Sequence, residues 1–170
     1  MRAVVQRVLS ARVDVDGQTV SSIGHGLLCL VGLQTGDGEV DAEYICRKIL
    51  NGRWFHNTSK THPGDGNNDG HDGEKKYGTS KPWDLSVRDL DYEVLLVSQF
   101  TLCHKFKGNK PDFRGAMAPG EARGAYGSLV RRVAAAYAED KVKDGVFGAM
   151  MEVHLVNDGP VTVIIDSNDK

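Results

Sequence analysis

The sequence lacks any apolar run approaching the roughly 20 residues that a membrane helix needs, so no bilayer span is expected. Cysteine is scarce: Cys29, Cys46 and Cys103 are odd in number and far apart. That excludes a disulfide framework and fits reduced, buried thiols. A surplus of positive charge is also missing, with 21 Lys and Arg against 23 Asp and Glu. A protein that wraps a long nucleic acid needs dense cations, so that class is excluded, whereas one that grips only the end of an RNA is not. Aromatics make up only 7% of the residues, too few for a stacking platform spread along the chain. The first residues, Met1 to Val8, alternate and carry Arg2 and Arg7, which reads as a strand and not as a signal peptide. A cytoplasmic protein of one domain, residues 1–170, is the expectation.

What is present is β-rich. Residues 3–16 alternate with valines, as a half-buried strand should, and Asp16-Gly17 marks a turn. A second strand is predicted over Gln18 to Ile23, ended by Gly24-His25-Gly26. Leu27 to Leu33 is continuously apolar, which predicts a central strand covered on both faces. From Glu39 to Leu50, Val40, Tyr44, Ile45 and Ile49 recur at helical spacing, and Asn51-Gly52 supplies the stop. Arg53-Trp54-Phe55 reads as a short strand, Trp83 to Val87 as renewed order, and Glu93 to Phe100 as a buried strand around Val94-Leu95-Leu96-Val97. Residues 105–118 form a basic loop punctuated by Gly and Pro. Pro119 to Tyr137 is predicted as a helix with Tyr126, Leu129, Val130, Val133 and Tyr137 on its inner face. Met150 to Val156 and Val161 to Ile165 read as two strands joined through Asn157-Asp158-Gly159-Pro160. The expected class is α+β: curved, barrel-like β-sheet layers with helices packed on one side.

Residues 57–82 interrupt this pattern. They are Gly, Asp, Asn, Lys and His with almost no apolar residue, so a disordered surface insertion is predicted. His56, His62 and His71 lie among Asp65, Asp69 and Asp72, but the spacing matches no ligand pattern and no metal is expected.

Two segments carry chemistry. Ser98-Gln99-Phe100-Thr101-Leu102 closes a buried strand with two hydroxyls, an amide and an aromatic ring. Ordinary polar capping of a strand end would look the same. Asn157-Asp158-Gly159-Pro160-Val161-Thr162 is strong turn chemistry, and a plain hairpin loop accounts for it equally. A Gly-Pro bond can be cis at modest cost, which would present two carbonyl oxygens on one side.

In order and spacing, Met1 to Arg7, the Gly-Leu-Leu-Cys-Leu-Val-Gly run at 26–32, Gly52-Arg53, SQFTL at 98–102 and NDGPVT at 157–162 resemble the D-aminoacyl-tRNA deacylases. The resemblance covers nearly everything except the insertion, while Cys103 and the Lys-rich stretch 105–110 depart from bacterial members. It implies an enzyme that hydrolyses the ester of D-aminoacyl-tRNA, and glycyl-tRNA with it, without a cofactor, and rejects the L-ester. It implies tRNA as partner and a homodimer. By resemblance, Ser98, Gln99, Phe100 and Thr101 line the catalytic pocket. Backbone N–H groups near Gln99 and Phe100 face the developing oxyanion, and Met151 forms a pocket wall. Gly159-Pro160 is a cis dipeptide that reaches into the partner subunit's pocket as the chiral filter, steadied by Arg7. A Met at a strand start is more often plain core, and Arg7 as an exposed strand arginine is equally open.

No His or Cys stands beside Ser98 or Thr101 in sequence, and an aminoacyl ester is already activated. Assistance by the terminal ribose 2′-hydroxyl is therefore the favoured mechanism, with Thr101 as a covalent nucleophile the alternative. A non-catalytic RNA-binding module is a further alternative, disfavoured by few aromatics and slight negative charge. A Cys103–His104 hydrolase is disfavoured because neighbours on a strand point to opposite faces.

Overall fold

A computed structural model describes residues 1–57 and 81–169. The chain opens on a long strand, β1 (Arg2–Val15), followed by β2 (Gln18–Ile23) and β3 (Gly26–Gly32). Asp16 and Gly17 both take positive φ, 51° and 76°, the backbone that a two-residue hairpin with native twist requires. Helix α1 (Glu39–Asn51) follows, then β4 (Phe55–Asn57), β5 (Lys81–Leu85) and β6 (Glu93–Ser98). A 3-10 turn, Phe100–Cys103, leads into the hairpin β7 (Lys105–Lys107) and β8 (Lys110–Asp112). Helix α2 (Pro119–Ala136), β9 (Val142–Asp144) and β10 (Glu152–Asp166) complete the fold.

The main sheet runs β10-β1-β3-β6-β9, with β2 on the outer half of β1. β1 is long enough to serve two neighbourhoods. Its first half lies between β3 and the end of β10, its second half between β2 and the start of β10. An extra residue, Leu9, between the pairs Val8–Asn157 and Ser10–Val156 switches which side chains face inward. Met1, Ala3 and Val5 therefore enter the core beneath the helices, while Val8, Ala11 and Val13 enter a second core with Ile23, Leu28, Leu95 and Val97. The sheet curls into a nearly closed barrel around that second core, and both helices pack on the other face. β3 is buried on both sides because it separates these two cores. Each fully buried Leu there contributes about 1.5–3 kcal/mol.

α1 starts at Gly38, whose N–H donates to Asp41 Oδ2 at 2.9 Å. It buries Ala42, Ile45, Cys46, Ile49 and Leu50. The inner face is rotated from the expected one, since Val40 is exposed and Cys46 is inside. α2 begins with Pro119 at its first turn and buries Ala122, Tyr126, Leu129 and Val133.

Several expectations change. The two final strands are one 15-residue strand, because both halves pair antiparallel with β1 and run in the same direction. Asn157 to Pro160 therefore makes a bulge and not a hairpin loop. Residues 105–112 pair as a hairpin instead of a loop. The short strand after α1 is Phe55–Asn57, and Trp54 instead enters the core with its indole N–H donating to Ile49 O at 2.9 Å. Asn57, Lys81 and Pro82, placed in the insertion by composition, belong to β4 and β5, where Asn57 pairs with Lys81. The rest of the insertion, with His62, His71, Asp65, Asp69 and Asp72, lies outside the described residues. β9 was not anticipated.

Candidate active site

The parallel strand β6 ends at Ser98, whose Cα partner is Val31. The ladder makes one more contact, Gln99 N–H to Val31 O at 2.7 Å, and then the chain turns away. Leu102 N–H donates to Gln99 O at 3.2 Å, which closes the 3-10 turn. The first N–H groups of such a turn have no acceptor inside it. Gln99 has spent its own N–H on β3, so Phe100 and Thr101 hold the donors that a ligand could use. This moves the expected pair one residue along.

Gly32 is what lets the turn lie so close to β3. A Cβ there would stand 2.9 Å from Gln99 O and from Leu102 Cβ, and 3.1 Å from Cys103 Sγ. Arg2 braces the far end, with Nη1 donating to Leu102 O at 3.1 Å and Nε to Asp166 at 2.7 Å. Neither residue stood out in the sequence as a site component. Gly32 lay within a recognised run, but only the fold tells which strand end passes over it.

Within the turn, Gln99 Nε2 donates to Thr101 Oγ1. Phe100 is exposed and meets Phe113 edge-on at 5.3 Å between ring centres, an apolar ledge beside the free N–H groups. His104 Nδ1 donates to Thr101 O at 2.8 Å. Cys103 is buried, its Sγ donates to Leu33 O at 3.2 Å, and burial pushes its thiol pKa up. A buried protonated thiol is no nucleophile. The Cys103–His104 hydrolase thus fails, though for burial in a turn and not for strand alternation.

Met151 stands against the same strand. Its Sδ would lie 2.9 Å from a Cβ on Gly145, whose other neighbour is Val97, and it accepts Val146 N–H at 3.4 Å. It is half-buried and packs against the second core, which includes Val97, the residue before Ser98 on β6. Nearby, Tyr126 Oη donates to Asp144 Oδ1 at 2.6 Å, tying α2 to β9. Burial pushes the pKa of both groups up.

The second motif is the bulge in β10. Gln6 pairs with Thr162 and Val8 with Asn157, so residues 158–161 all stand opposite Arg7. Asn157 spans the base, its Nδ2 donating to Arg7 O at 2.7 Å and Val161 O at 3.0 Å. Arg7 is buried, not an exposed strand arginine. Its Nη1 donates to Trp54 O at 2.8 Å, and its guanidinium lies 5.9 Å from the Phe55 ring centre. Its Nε is 2.8 Å from Asp158 Oδ2, an ion pair without the alignment of a hydrogen bond. The Gly159–Pro160 bond is cis and Gly159 has φ +112°. A Cβ on Gly159 would stand 2.9 Å from Arg7 Nη2. Turn chemistry flagged Asn157 and Asp158 in the sequence, but their roles as brace and counter-ion needed the register.

The structure groups Ser98, Gln99, Phe100 and Thr101 with Met151 near one sheet end, and Arg7 with Gly159 and Pro160 elsewhere. Ser98 shares a row with Val31, Ala3 and Ile165. The bulge faces Arg7, four residues further along β1, about 13 Å, and β10 lies three strands from β6, about 14 Å. Along the sheet, the two motifs of one chain are therefore well separated.

Among the described residues, Asp14, Glu152 and His154 form a group that could approach a metal. Asp14 is already engaged by Thr19 Oγ1 at 2.7 Å, Arg12 Nε at 3.0 Å and His154 Nε2 at 3.2 Å. No helix is long and apolar enough to cross a membrane among the described residues.

Known proteins resemble the chain over its whole length. The family model for D-Tyr-tRNA(Tyr) deacylase matches residues 4–166. A D-aminoacyl-tRNA deacylase of Dictyostelium discoideum is 45% identical over 170 residues, all of both chains. D-aminoacyl-tRNA deacylase 1 of Homo sapiens is 42% identical over 167 residues, 98% of this chain and 70% of that protein. Among solved structures, a c-Myc DNA unwinding element binding protein superposes with a TM-score of 0.83 at 42% identity, covering 98% of each chain. With a family match that spans residues 4–166, both motif segments included, and relatives above 40% identical over nearly the whole chain, the chain belongs to the D-aminoacyl-tRNA deacylase family of hydrolases.

Proposed function

We propose that this chain hydrolyses the ester bond between a D-amino acid, or glycine, and the 3′ end of tRNA in the cytoplasm, and spares L-aminoacyl-tRNA. The working unit is a homodimer. The observation that carries this reading is the separation of the two motifs along the sheet, which suits a filter that serves a second copy. The edge strand β10 supports it. It holds one outer edge of the sheet, carries the bulge, and exposes Val156 and Ile164. An unprotected long edge of that kind is a pairing surface.

In this reading the terminal adenosine and its ester lie along Ser98 to Thr101. The Phe100 and Thr101 N–H groups meet the carbonyl oxygen as it gains charge, worth roughly 2.7–4 kcal/mol per donor in acyl transfer. Phe100 and Met151 supply apolar walls. The carbonyls of Gly159 and Pro160 from the other subunit hold the α-amino group, so an L side chain would point into backbone. Glycine has no side chain to reject. The ribose 2′-hydroxyl assists the attacking water. Thr101 is a poor nucleophile here, because its Oγ1 accepts from Gln99 and the nearby imidazole faces the Thr101 carbonyl and not the hydroxyl.

The test is hydrolysis of matched D- and L-aminoacyl-tRNA, with the mass in solution measured alongside. Release of the D-amino acid and persistence of the L-ester are expected, at a mass of two chains. Equal hydrolysis of both esters, or a particle of one 18.5 kDa chain at micromolar concentration, would overturn it.

A further inference from the structure

The hairpin β7–β8 grows directly from the catalytic turn, since His104 both caps the turn and precedes Lys105. The chain carries a net −2, yet residues 105–115 hold Lys105, Lys107, Lys110 and Arg114 against Asp112 alone. The register sorts this stretch onto two faces. Lys105 pairs with Asp112 and Lys107 with Lys110, so one face is cationic. Phe106 pairs with Pro111 on the other face, where His104 meets Phe106 edge-on at 5.2 Å.

The Lys107–Lys110 pair works against the hairpin. Like charges directly opposite each other across strands destabilise the pair. Asp112 is shared by Lys107 Nζ at 3.2 Å and Arg114 Nη2 at 2.7 Å, while Lys105 and Lys110 have no ion pair among the described residues. Phe106 is about two-thirds exposed at 66%. Surplus cations and a bare ring on a two-stranded ribbon describe a surface for a ligand with regular negative charge and flat rings.

We propose that this hairpin is the tRNA-docking element: its lysine face seats backbone phosphates of the acceptor end, and Phe106 stacks on an unpaired base. The proposal rests on the deacylase reading. Lys105 and Lys107 lie on one face about 7 Å apart, near the spacing of successive phosphates along an RNA strand. Base stacking on an aromatic ring tolerates any base, which suits an enzyme that must accept many tRNAs. A membrane surface or an acidic protein would also meet lysines, but neither gives Phe106 a flat partner beside the turn that receives the RNA's end.

Two full-length variants test it: Lys105→Gln/Lys107→Gln/Lys110→Gln and Phe106→Ala. Binding of uncharged tRNA is followed by fluorescence anisotropy across salt concentration, and hydrolysis is compared on D-aminoacyl-tRNA and on D-aminoacyl-adenosine. The triple variant should bind tRNA about tenfold or more weakly, with a salt slope shallower by about 2–3 if three phosphate contacts are lost. Its KM for D-aminoacyl-tRNA should rise while kcat stays near wild type, and D-aminoacyl-adenosine should be hydrolysed as before. Phe106→Ala should weaken tRNA binding with the salt slope unchanged. Unchanged tRNA affinity and salt slope in the triple variant would overturn the proposal, as would equal losses on both substrates. The binding arm needs no catalysis, so a wild-type protein that binds tRNA through these lysines but leaves the D-ester intact would refute the deacylase reading alone.

Discussion

Arg7→Ala removes a buried side chain that touches both the β10 bulge and the body of the fold. Three contacts go at once. Losing the Nη1 hydrogen bond leaves Trp54 O without that donor in a buried place, which costs about 1–3 kcal/mol. The pair with Asp158 is partly exposed, so it adds only about 0–1 kcal/mol. The Phe55 contact at 5.9 Å is near its distance limit and adds about 0.5 kcal/mol. The total is about 2–4 kcal/mol, and for a chain of 170 residues that lowers Tm by about 10 °C. Thermal unfolding by circular dichroism reads this directly. Arg7→Lys should recover part of it, because one ammonium can reach a single partner where the guanidinium reaches two. Hydrolysis of D-aminoacyl-tRNA, assayed cold enough that Arg7→Ala stays folded, should fall as well. Asn157 would still brace the base of the bulge, but the ring of contacts behind Gly159 would be open. An Arg7→Ala protein that melts within a degree of wild type would refute the claim that this guanidinium holds the bulge to the fold.

Gly32→Ala should displace the Gln99–Cys103 turn and reduce hydrolysis strongly while tRNA binding persists, because the added Cβ meets backbone and Leu102 at 2.9 Å; unchanged kcat would show the turn to be slack. Thr101→Ala should keep substantial activity, whereas a loss of many orders of magnitude would identify a covalent nucleophile. Removing residues 58–80 and joining the ends by a short turn should leave melting and hydrolysis nearly unchanged, since Asn57 and Lys81 are paired neighbours and closure entropy grows slowly with length; loss of activity with normal melting would give the insertion a role. Asp89 accepts from Ser86 N–H and Oγ, both at 2.8 Å, and these bonds hold its carboxyl below the usual value of 3.8. The folded state therefore binds fewer protons, so this stability exists above pH 3.8 and is lost as the pH falls through the lowered pKa. Asp89→Asn should lower the urea midpoint at neutral pH and flatten its decline in acid, and parallel pH profiles for the two proteins would count against it.

The parts of the fold that could be read from the sequence are those where one local signal decides. β3 is apolar throughout because a core lies on each side, and Leu27 to Val31 say so without further context. Asp16-Gly17 specifies a turn by the positive φ that both residues take. α2 announces itself through Pro119 and the spacing of Tyr126, Leu129 and Val133. What failed were the choices that pairing makes. Val40 has the right spacing for an inner face, yet Cys46 lies inside and Val40 outside, because contact with β1 and α2 sets the rotation of α1. β9 has three residues and no pattern of its own, and it exists only because β6 offers a parallel edge. Lys105 to Asp112 looked like loop because charge and Gly conceal a two-residue turn between three-residue strands.

The site divides in the same way, and the division bears on how the enzyme works. Identity was legible: Ser98 to Thr101 and Asn157 to Thr162 stand out as motifs. Direction was not. A turn-forming sequence between two apolar runs predicts reversal, and here the chain continues instead, because β1 pairs with both flanks and ejects the four residues between them. The bulge is thus held at its base by ladder hydrogen bonds and by Asn157, and from behind by Arg7, which leaves its backbone rigid without any partner of its own across the sheet. The chain's own Ser98 lies about 13 Å along the strands and three strands away across the sheet. A backbone filter gains discrimination only if it cannot yield when the wrong side chain presses on it. In the proposed dimer a second subunit would supply the substrate that such a filter faces, and the buried guanidinium the resistance. Stability of the bulge and selectivity against L-esters should accordingly decline together in substitutions at Arg7 and Asn157.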